Sequence, residues 1–367
     1  MKRILLCSPY EIAHDNNAGG IVMWTRNIMH EFRQNPPAHI QLDLLSVSRK
    51  TYIHENVSLF RRLVSGIIDY SGILTRIKRQ LKETKYDGLH LSSSASISLI
   101  KDYIILNYSK KKGIKTFIHF HFGRIPMIIK QKGWEYRMLM KVCHLAHQII
   151  VMDTCSFKVL NELGFKNVTF LPNPVSSEIN DVLLSCNIIE RQRRKILFVG
   201  HMIKEKGIFE LIEACKKVDN IELVMIGKVE PIVQQQIDSK YPHEKWLHLL
   251  GALSHKQVIE EMLKCGIFVL PSYTEGFPNV ILEAMACSCP IVSTNVGAIP
   301  EMLDSYSTNN AGIIIPPRDT IALKEALIKL LKNENLSNEI SENAYKKVNQ
   351  EYTSKKVFNQ LCNIWEK

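Results

Sequence analysis

No apolar run in this chain approaches the eighteen or so residues that a membrane-spanning helix needs. At the start, Lys2 and Arg3 precede only the apolar stretch Ile4 to Cys7, and Ser8-Pro9 follows at once, so the apolar core of a secretory signal is missing as well. These absences point to a cytoplasmic protein or one held peripherally at the inner face of a membrane. The nine cysteines include no Cys-x-x-Cys pair. Cys287 and Cys289 sit in the apolar context Ala-Met-Ala-Cys-Ser-Cys-Pro, which suits buried structural thiols and speaks against zinc and disulfides. There is no Asp-x-Asp, no internal repeat and no low-complexity tract.

What is present is the composition of a soluble globular protein, 46% hydrophobic and 23% charged, at a length of 367 residues that exceeds one ordinary core. The formal charge of +11 is unevenly spread: residues 1–173 hold 25 Lys and Arg against 12 Asp and Glu, and the remainder 22 against 24. The first half is therefore suited to an anionic partner, of which a membrane surface or a phosphorylated acceptor is expected and nucleic acid is not.

Short apolar runs alternate with amphipathic segments, the pattern of parallel sheets covered by helices on both faces. The first half offers strands at Arg3–Cys7, Gln41–Val47, Gly88–Leu91, Lys115–Phe120, Gln148–Met152 and Val168–Leu171. The second offers Lys195–Val199, Ile221–Ile226, Trp246–Leu250, Ile267–Leu270, Pro290–Ser293 and Gly312–Ile315. Each set suffices for one doubly wound sheet. Pro172-Asn173-Pro174 bars regular structure and marks the join. The expected organisation is a Rossmann-like domain over 1–173, a linker over 174–194, a second Rossmann-like domain over 195–350, and a helix over 351–367 that packs back on the first domain. Two segments, Leu59 to Lys82 and Arg124 to Lys141, interleave apolar and basic residues. Either could lie in the headgroup region of an anionic bilayer or pack as an ordinary surface helix.

Ligands bind beyond the carboxyl ends of parallel strands, so the loops there carry the chemistry. After the first strand come Gly19 and Gly20 at a helix start, where backbone N–H groups can approach a phosphate or sugar. The second domain opens with Gly200-His201 and then Lys204-Glu205-Lys206-Gly207 before a helix, a strand–glycine–cation arrangement suited to a diphosphate. The most informative stretch runs from Pro271 to Ala286. Glu275 and Glu283 lie eight residues apart, one in the loop and one inside the helix, and flank the N–H groups of Phe277 to Val280. Two carboxylates so placed can accept hydrogen bonds from sugar hydroxyls on either side of an anion.

With these residues together, the chain resembles the family 4 retaining glycosyltransferases, also described as group 1, which have the GT-B fold: two Rossmann-like domains facing a central cleft. The resemblance rests on Gly19-Gly20, the segment Phe117 to Gly123, Pro172-Asn173, Gly200 with Lys206-Gly207, the Glu-x7-Glu motif followed by Ala-Met-Ala, and Pro290 to Glu301. It implies a donor site in which Lys206 neutralises the diphosphate, the backbone of Gly276, Phe277, Pro278, Asn279 and Val280 holds phosphates and sugar, Glu275 contacts the sugar and Glu283 binds the ribose. Gly19 and Gly20 would line the donor and acceptor cleft. A histidine after the fourth strand would sit over the transferred sugar. His119 and His121 both qualify and share one side of the strand; His121, nearer the strand end, is preferred.

One departure is His201, where the family pattern has Arg; a neutral imidazole cannot grip phosphate bidentately, and Lys204 and Lys228 are possible substitutes. The implied activity is retaining transfer from a UDP- or GDP-linked sugar to a carbohydrate or lipid-linked acceptor, in the synthesis of a surface polysaccharide, lipopolysaccharide or glycolipid. No metal or other cofactor is expected, because the Asp-x-Asp anchor is absent. A degenerate partner or binding subunit, or a sugar-nucleotide epimerase of the same fold, are the alternatives.

Overall fold

The computed structural model describes residues 1–10, 19–48, 59–176, 179, 182–183, 190–242, 244–305 and 309–367, with the side chains of 59–68 excepted. It divides into two compact units, Met1–Leu171 with Phe358–Lys367, and Pro172–Val357.

The first unit contains β1 (Lys2–Ser8), β2 (Ile40–Ser46), β3 (Gly88–Ser93), β4 (Lys115–Phe120), β5 (Gln148–Val151) and β6 (Val168–Phe170), in the order β2-β1-β3-β4-β5-β6. All neighbours are parallel. These strands read as continuous apolar runs because both faces are covered. Leu5 and Cys7 of β1 face a core shared with Leu89, Ile118 and Phe120, while Ile4 and Leu6, on the opposite side of the strand, are equally buried. Strand order reverses between β1 and β3, which sets the crevice at their carboxyl ends.

The second unit contains β7 (Gln192–Val199), β8 (Glu222–Ile226), β9 (Leu247–Leu249), β10 (Cys265–Leu270), β11 (Ile291–Thr294) and β12 (Ile313–Ile315), in the order β12-β11-β10-β7-β8-β9 and again parallel. Its switch point lies between β7 and β10. The α/β class expected from the alternation is found, with every strand window occupied. One boundary differs: β7 begins at Gln192, inside the polar run read as linker. Its start has dedicated partners: Arg191, just before it, donates through Nη1 to Cys265 O at 2.9 Å, and Lys195 Nζ to Glu261 Oε2 at 2.6 Å, while Arg193 pairs with Glu334. Charge at a strand start therefore marks edge contacts here, not a break in structure.

Of the two basic amphipathic segments, helix Leu59–Glu83 buries Ile73, Ile77 and Leu81 in the core of the first unit, so over those residues it is an ordinary surface helix. Its side chains from 59 to 68 lie outside the described residues. Helices Ile125–Gln131 and Trp134–Leu145 bury Ile125, Ile128 and Leu139 but expose Met127 and Trp134 to about half their surface. Among the described residues no helix is long and apolar enough to cross a membrane.

Candidate functional site

In the second unit, the loops at the carboxyl ends of β7 and β10 are stitched together. Lys204–Lys206 forms one turn of 3-10 helix, and Gly207 ends it with φ +68 and starts helix Ile208–Cys215. A Cβ on Gly207 would enter the van der Waals surface of Pro271 O, so only glycine allows the two loops to touch. Tyr273 N donates to Glu205 O at 2.8 Å across the same seam. This contact brings Lys206 Nζ to 2.6 Å from Glu275 Oε1, which also accepts from Ser272 Oγ at 2.6 Å. Both bonds fall on one oxygen, and Oε2 has no bond to the described residues. The pair is largely buried, with side-chain exposures of 25% for Lys206 and 11% for Glu275. Neither charge could sit there alone at low cost.

Behind Glu275 the loop is anchored by Ala298 N donating to Gly276 O at 2.9 Å, and by Thr294 Oγ1 donating to Ser272 O at 2.6 Å. Asn173, from the Pro-Asn-Pro join, is buried and donates through Nδ2 to Phe277 O at 3.2 Å and Asn279 Oδ1 at 2.9 Å. Phe277 packs edge-on to Tyr352, ring centroids 5.6 Å apart. Helix Asn279–Ala286 thus starts from a fixed backbone with no side chain capping it, which leaves its first N–H groups to a ligand. Pro278 is the capping residue and has no N–H, so within the expected run the donors are Gly276, Phe277, Asn279 and Val280. One turn in, Glu283 Oε1 lies 3.1 Å from His255 Nε2, a histidine at the start of helix His255–Lys264. Sequence spacing carries no signal for Ser272 or His255, and it marks Asn173 only as part of the join, not as a support of this loop.

Gly200 ends β7, and its backbone N donates to Ile226 O at 2.9 Å. His201 is exposed, and its neighbour Met202 pairs with the segment after β8 through Met202 N to Lys228 O at 2.8 Å. The backbone of Lys228 is therefore adjacent to the His201 loop, and Lys204 is exposed one turn away.

The first unit holds its own set. Residues 11–18, including Asn17 and Ala18, lie outside the described residues. Gly19 and Gly20 are exposed at the start of helix Gly20–Gln34, and a Cβ on Gly19 would meet open space. That helix is fastened at the β1–β3 crevice by Ser8 Oγ, 2.6 Å from Thr25 Oγ1 and 2.8 Å from Ser92 Oγ. His119 and His121 do share one side of β4, their rings 3.9 Å apart. Each also packs edge-on to Trp24, and His90 of β3 stacks on Trp24 at 5.6 Å and lies 5.5 Å from His119. Trp365 Nε1 donates to His90 Nδ1 at 3.1 Å. Five buried nitrogens have no partner among the described residues: Trp24 Nε1, His90 Nε2, both of His119, and His121 Nε2. The alternation of β4 is enough to place His119 with His121, but His90, Trp24 and Trp365 come from distant segments and escape a reading of the sequence.

Burial drives these imidazoles neutral. It lowers His90 and His121 to about 3, and takes His119 well below its ordinary value, with the neighbouring imidazoles adding to the effect on His119 and His121. An unfolded chain protonates the same groups near pH 6.5. Between that pH and about 3 the unfolded state therefore binds more protons, and stability falls as pH falls, by up to about 1.4 kcal/mol per pH unit for each histidine. Thermal midpoints measured from pH 7 to 4.5 are expected to drop steeply below 6.5. The drop should be shallower in His119→Phe, and an unchanged slope would contradict the assignment.

Residues 185–347 match the family model described as glycosyl transferases group 1. Curated relatives include an uncharacterized glycosyltransferase of Methanocaldococcus jannaschii, 35% identical over 40% of this chain and 41% of its own length. Another is the capsular polysaccharide biosynthesis glycosyltransferase CapM of Staphylococcus aureus, 29% identical over 69% of this chain and 66% of its own. The chain thus spans less than two thirds of the length of these first relatives. Among solved structures, HepE of Anabaena in complex with UDP-glucose aligns over 100% of both chains with a TM-score of 0.71 at 15% identity, which establishes the shared GT-B fold. Within the matched residues, the loops joined through Gly207 and the helix beginning at Asn279 form the best-defined site.

Proposed function

We propose that the protein is a retaining glycosyltransferase that moves a sugar from a nucleoside diphosphate donor, UDP-linked by preference, to a carbohydrate or lipid-linked acceptor in the synthesis of a surface polysaccharide or glycolipid. The Lys206–Glu275 pair carries the reading: a cation and a carboxylate, held together at the end of β10 beside an uncapped helix start. The donor diphosphate takes Lys206 and the N–H groups of Gly276, Phe277, Asn279 and Val280, and Glu275, released from the lysine, accepts from sugar hydroxyls. Glu283, steadied by His255, accepts from the ribose. Negative charge develops on the diphosphate as the glycosyl bond breaks, where these donors already point. No metal is required in this scheme, and the leaving phosphate takes the acceptor proton on the face it vacates. That HepE, of the same fold, is a complex with UDP-glucose supports a UDP-linked donor, and the name of CapM supports a polysaccharide product.

Donor binding tests the grip directly. One nucleotide sugar from a UDP and GDP panel is expected to raise the thermal midpoint, and Glu283→Ala to weaken that binding by about tenfold, the worth of a charge-assisted hydrogen bond. Equal affinity in the variant would remove Glu283 from the site.

The acceptor half is assigned to the first unit, with His121 over the transferred sugar and Gly19 and Gly20 at the crevice. We also assign this unit to an anionic membrane surface. Met127 and Trp134 stand exposed beside Lys130, Lys132, Arg137 and Lys141, the mixture that seats in headgroups. Arg124 fixes this face, bonding Glu135 Oε1 at 2.6 Å and Ser96 Oγ at 2.5 Å. Flotation with anionic vesicles is expected to be salt-sensitive and to fall severalfold in Met127→Ser/Trp134→Ser. Flotation indifferent to both would overturn the assignment.

A further inference from the structure

The amino-terminal edge of the first sheet, opposite the strand ends discussed above, carries a cavity of about 550 Å3, within the range of small-molecule sites. Its lining belongs to the first unit alone: the starts of β1, β3 and β4, the residues that close helices Leu59–Glu83 and Ser98–Lys111, and Trp365. Among the described residues, five lysines, Lys2, Lys82, Lys85, Lys112 and Lys115, line it with one carboxylate, Asp87. That carboxylate is engaged, accepting from Arg3 N at 2.7 Å.

Lys112 Nζ donates to Leu81 O at 3.3 Å, and Lys2 Nζ to the carbonyls of Trp365 and Glu366. These bonds fix two ammonium groups at the wall without cancelling their charge. Lys82 and Lys85 are exposed and make no ion pair or hydrogen bond with the described residues. Helix carboxyl ends attract cations, which accounts for Lys82, Lys85 and Lys112. Lys2 and Lys115 begin parallel strands and reach the carboxyl end of helix Ser354–Glu366, where Lys115 Nζ donates to the carbonyl of Lys367, so the same attraction holds them. It does not account for a cavity between all five. The floor is apolar, with Ile4, Phe117 and Trp365 almost wholly buried.

We propose that this cavity is a second ligand site, taking a small phosphate-bearing anion with an apolar body, independent of the donor grip in the second unit. Several lysines converging as point charges suit a group that carries close to two negative charges. The apolar floor suits the rest of the molecule. Trp365 is part of both the cavity wall and the histidine cluster, through its bond to His90 Nδ1.

The test is isothermal titration of inorganic pyrophosphate into the full chain carrying Lys206→Ala, so that the second unit's cation does not contribute. One equivalent is expected to bind, weakened at least about tenfold by Lys82→Glu/Lys85→Glu and by less than about twofold by Lys329→Glu/Lys332→Glu, which reverses two exposed lysines outside the cavity. Exposed charge reversals of this kind leave the fold intact, and circular dichroism of both pairs checks that. Absence of pyrophosphate binding, or equal loss in both pairs, overturns the proposal. Phosphatidylglycerol vesicles separate the sources. Capture lost in the Lys82/Lys85 pair together with pyrophosphate binding assigns a lipid headgroup, and pyrophosphate binding without a change in capture assigns a free ligand.

Discussion

Replacing Lys206 by alanine is expected to slow release of nucleoside diphosphate in the transfer reaction by about 10²- to 10³-fold, the loss typical for a single preorganised group facing charge that develops in the transition state. A second consequence follows from its contacts. Lys206 is the cation within 2.6 Å of Glu275, whose other partner is the neutral hydroxyl of Ser272. Without the lysine, a mostly buried carboxylate loses its counter-charge. The two residues therefore act as a unit, and their effects should not add. Lys206→Ala/Glu275→Gln is expected to turn over within about threefold of Lys206→Ala alone. Rates that fall by the product of the two single losses would mean the pair is coincidental.

Gly227→Ala is expected to destabilise the second unit by about 3 kcal/mol, the sum of a strained backbone and a backbone collision. Gly227 follows β8 with φ +138, a conformation L side chains rarely adopt, and a Cβ there would enter the van der Waals surface of Gly200 O. Its N donates to Gly251 O at 2.8 Å, so it cannot simply move away. Gly200 precedes His201, so the strain reaches the donor loop directly. A midpoint lower by roughly 6 to 12 °C is expected for a unit of this size. The control is Gly72→Ala, an exposed helical position with open space around it, expected to stabilise by less than about 1 kcal/mol. Equal midpoints for wild type and Gly227→Ala would show that the β7 and β8 loops do not constrain each other.

Glycines 207 and 227 show where sequence reading stops. The strands are legible because parallel strands covered on both faces are written as continuous apolar runs: all six residues of β10 are buried, and so are all four of β11. The same pattern fails at Gln192, because arginines with distant partners look like solvated linker. Glycine at 207 or 227 is required by a carbonyl from another loop, Pro271 O in one case and Gly200 O in the other, and such approach distances have no local signature. Within the candidate site, the carboxylate pair is legible from its spacing along one loop and helix. Motif resemblance singles out Lys206 and Glu275 separately but not their direct contact, and it counts Pro278 among the backbone groups although that residue has no N–H to give. The histidine cluster is half visible: alternation joins His119 to His121, whereas His90 and Trp365 meet across 275 positions of sequence.

The central claim is that this chain itself transfers sugar with retention from a nucleoside diphosphate donor. The most direct measurement is proton NMR of the anomeric centre in the product, made with the purified chain, the donor that stabilises it and an acceptor, alongside quantitation of released nucleoside diphosphate. The account predicts one diphosphate per glycoside formed and a product with the donor's anomeric configuration. An inverted product, an epimerised donor sugar in place of a glycoside, or no turnover with any donor that binds would contradict it.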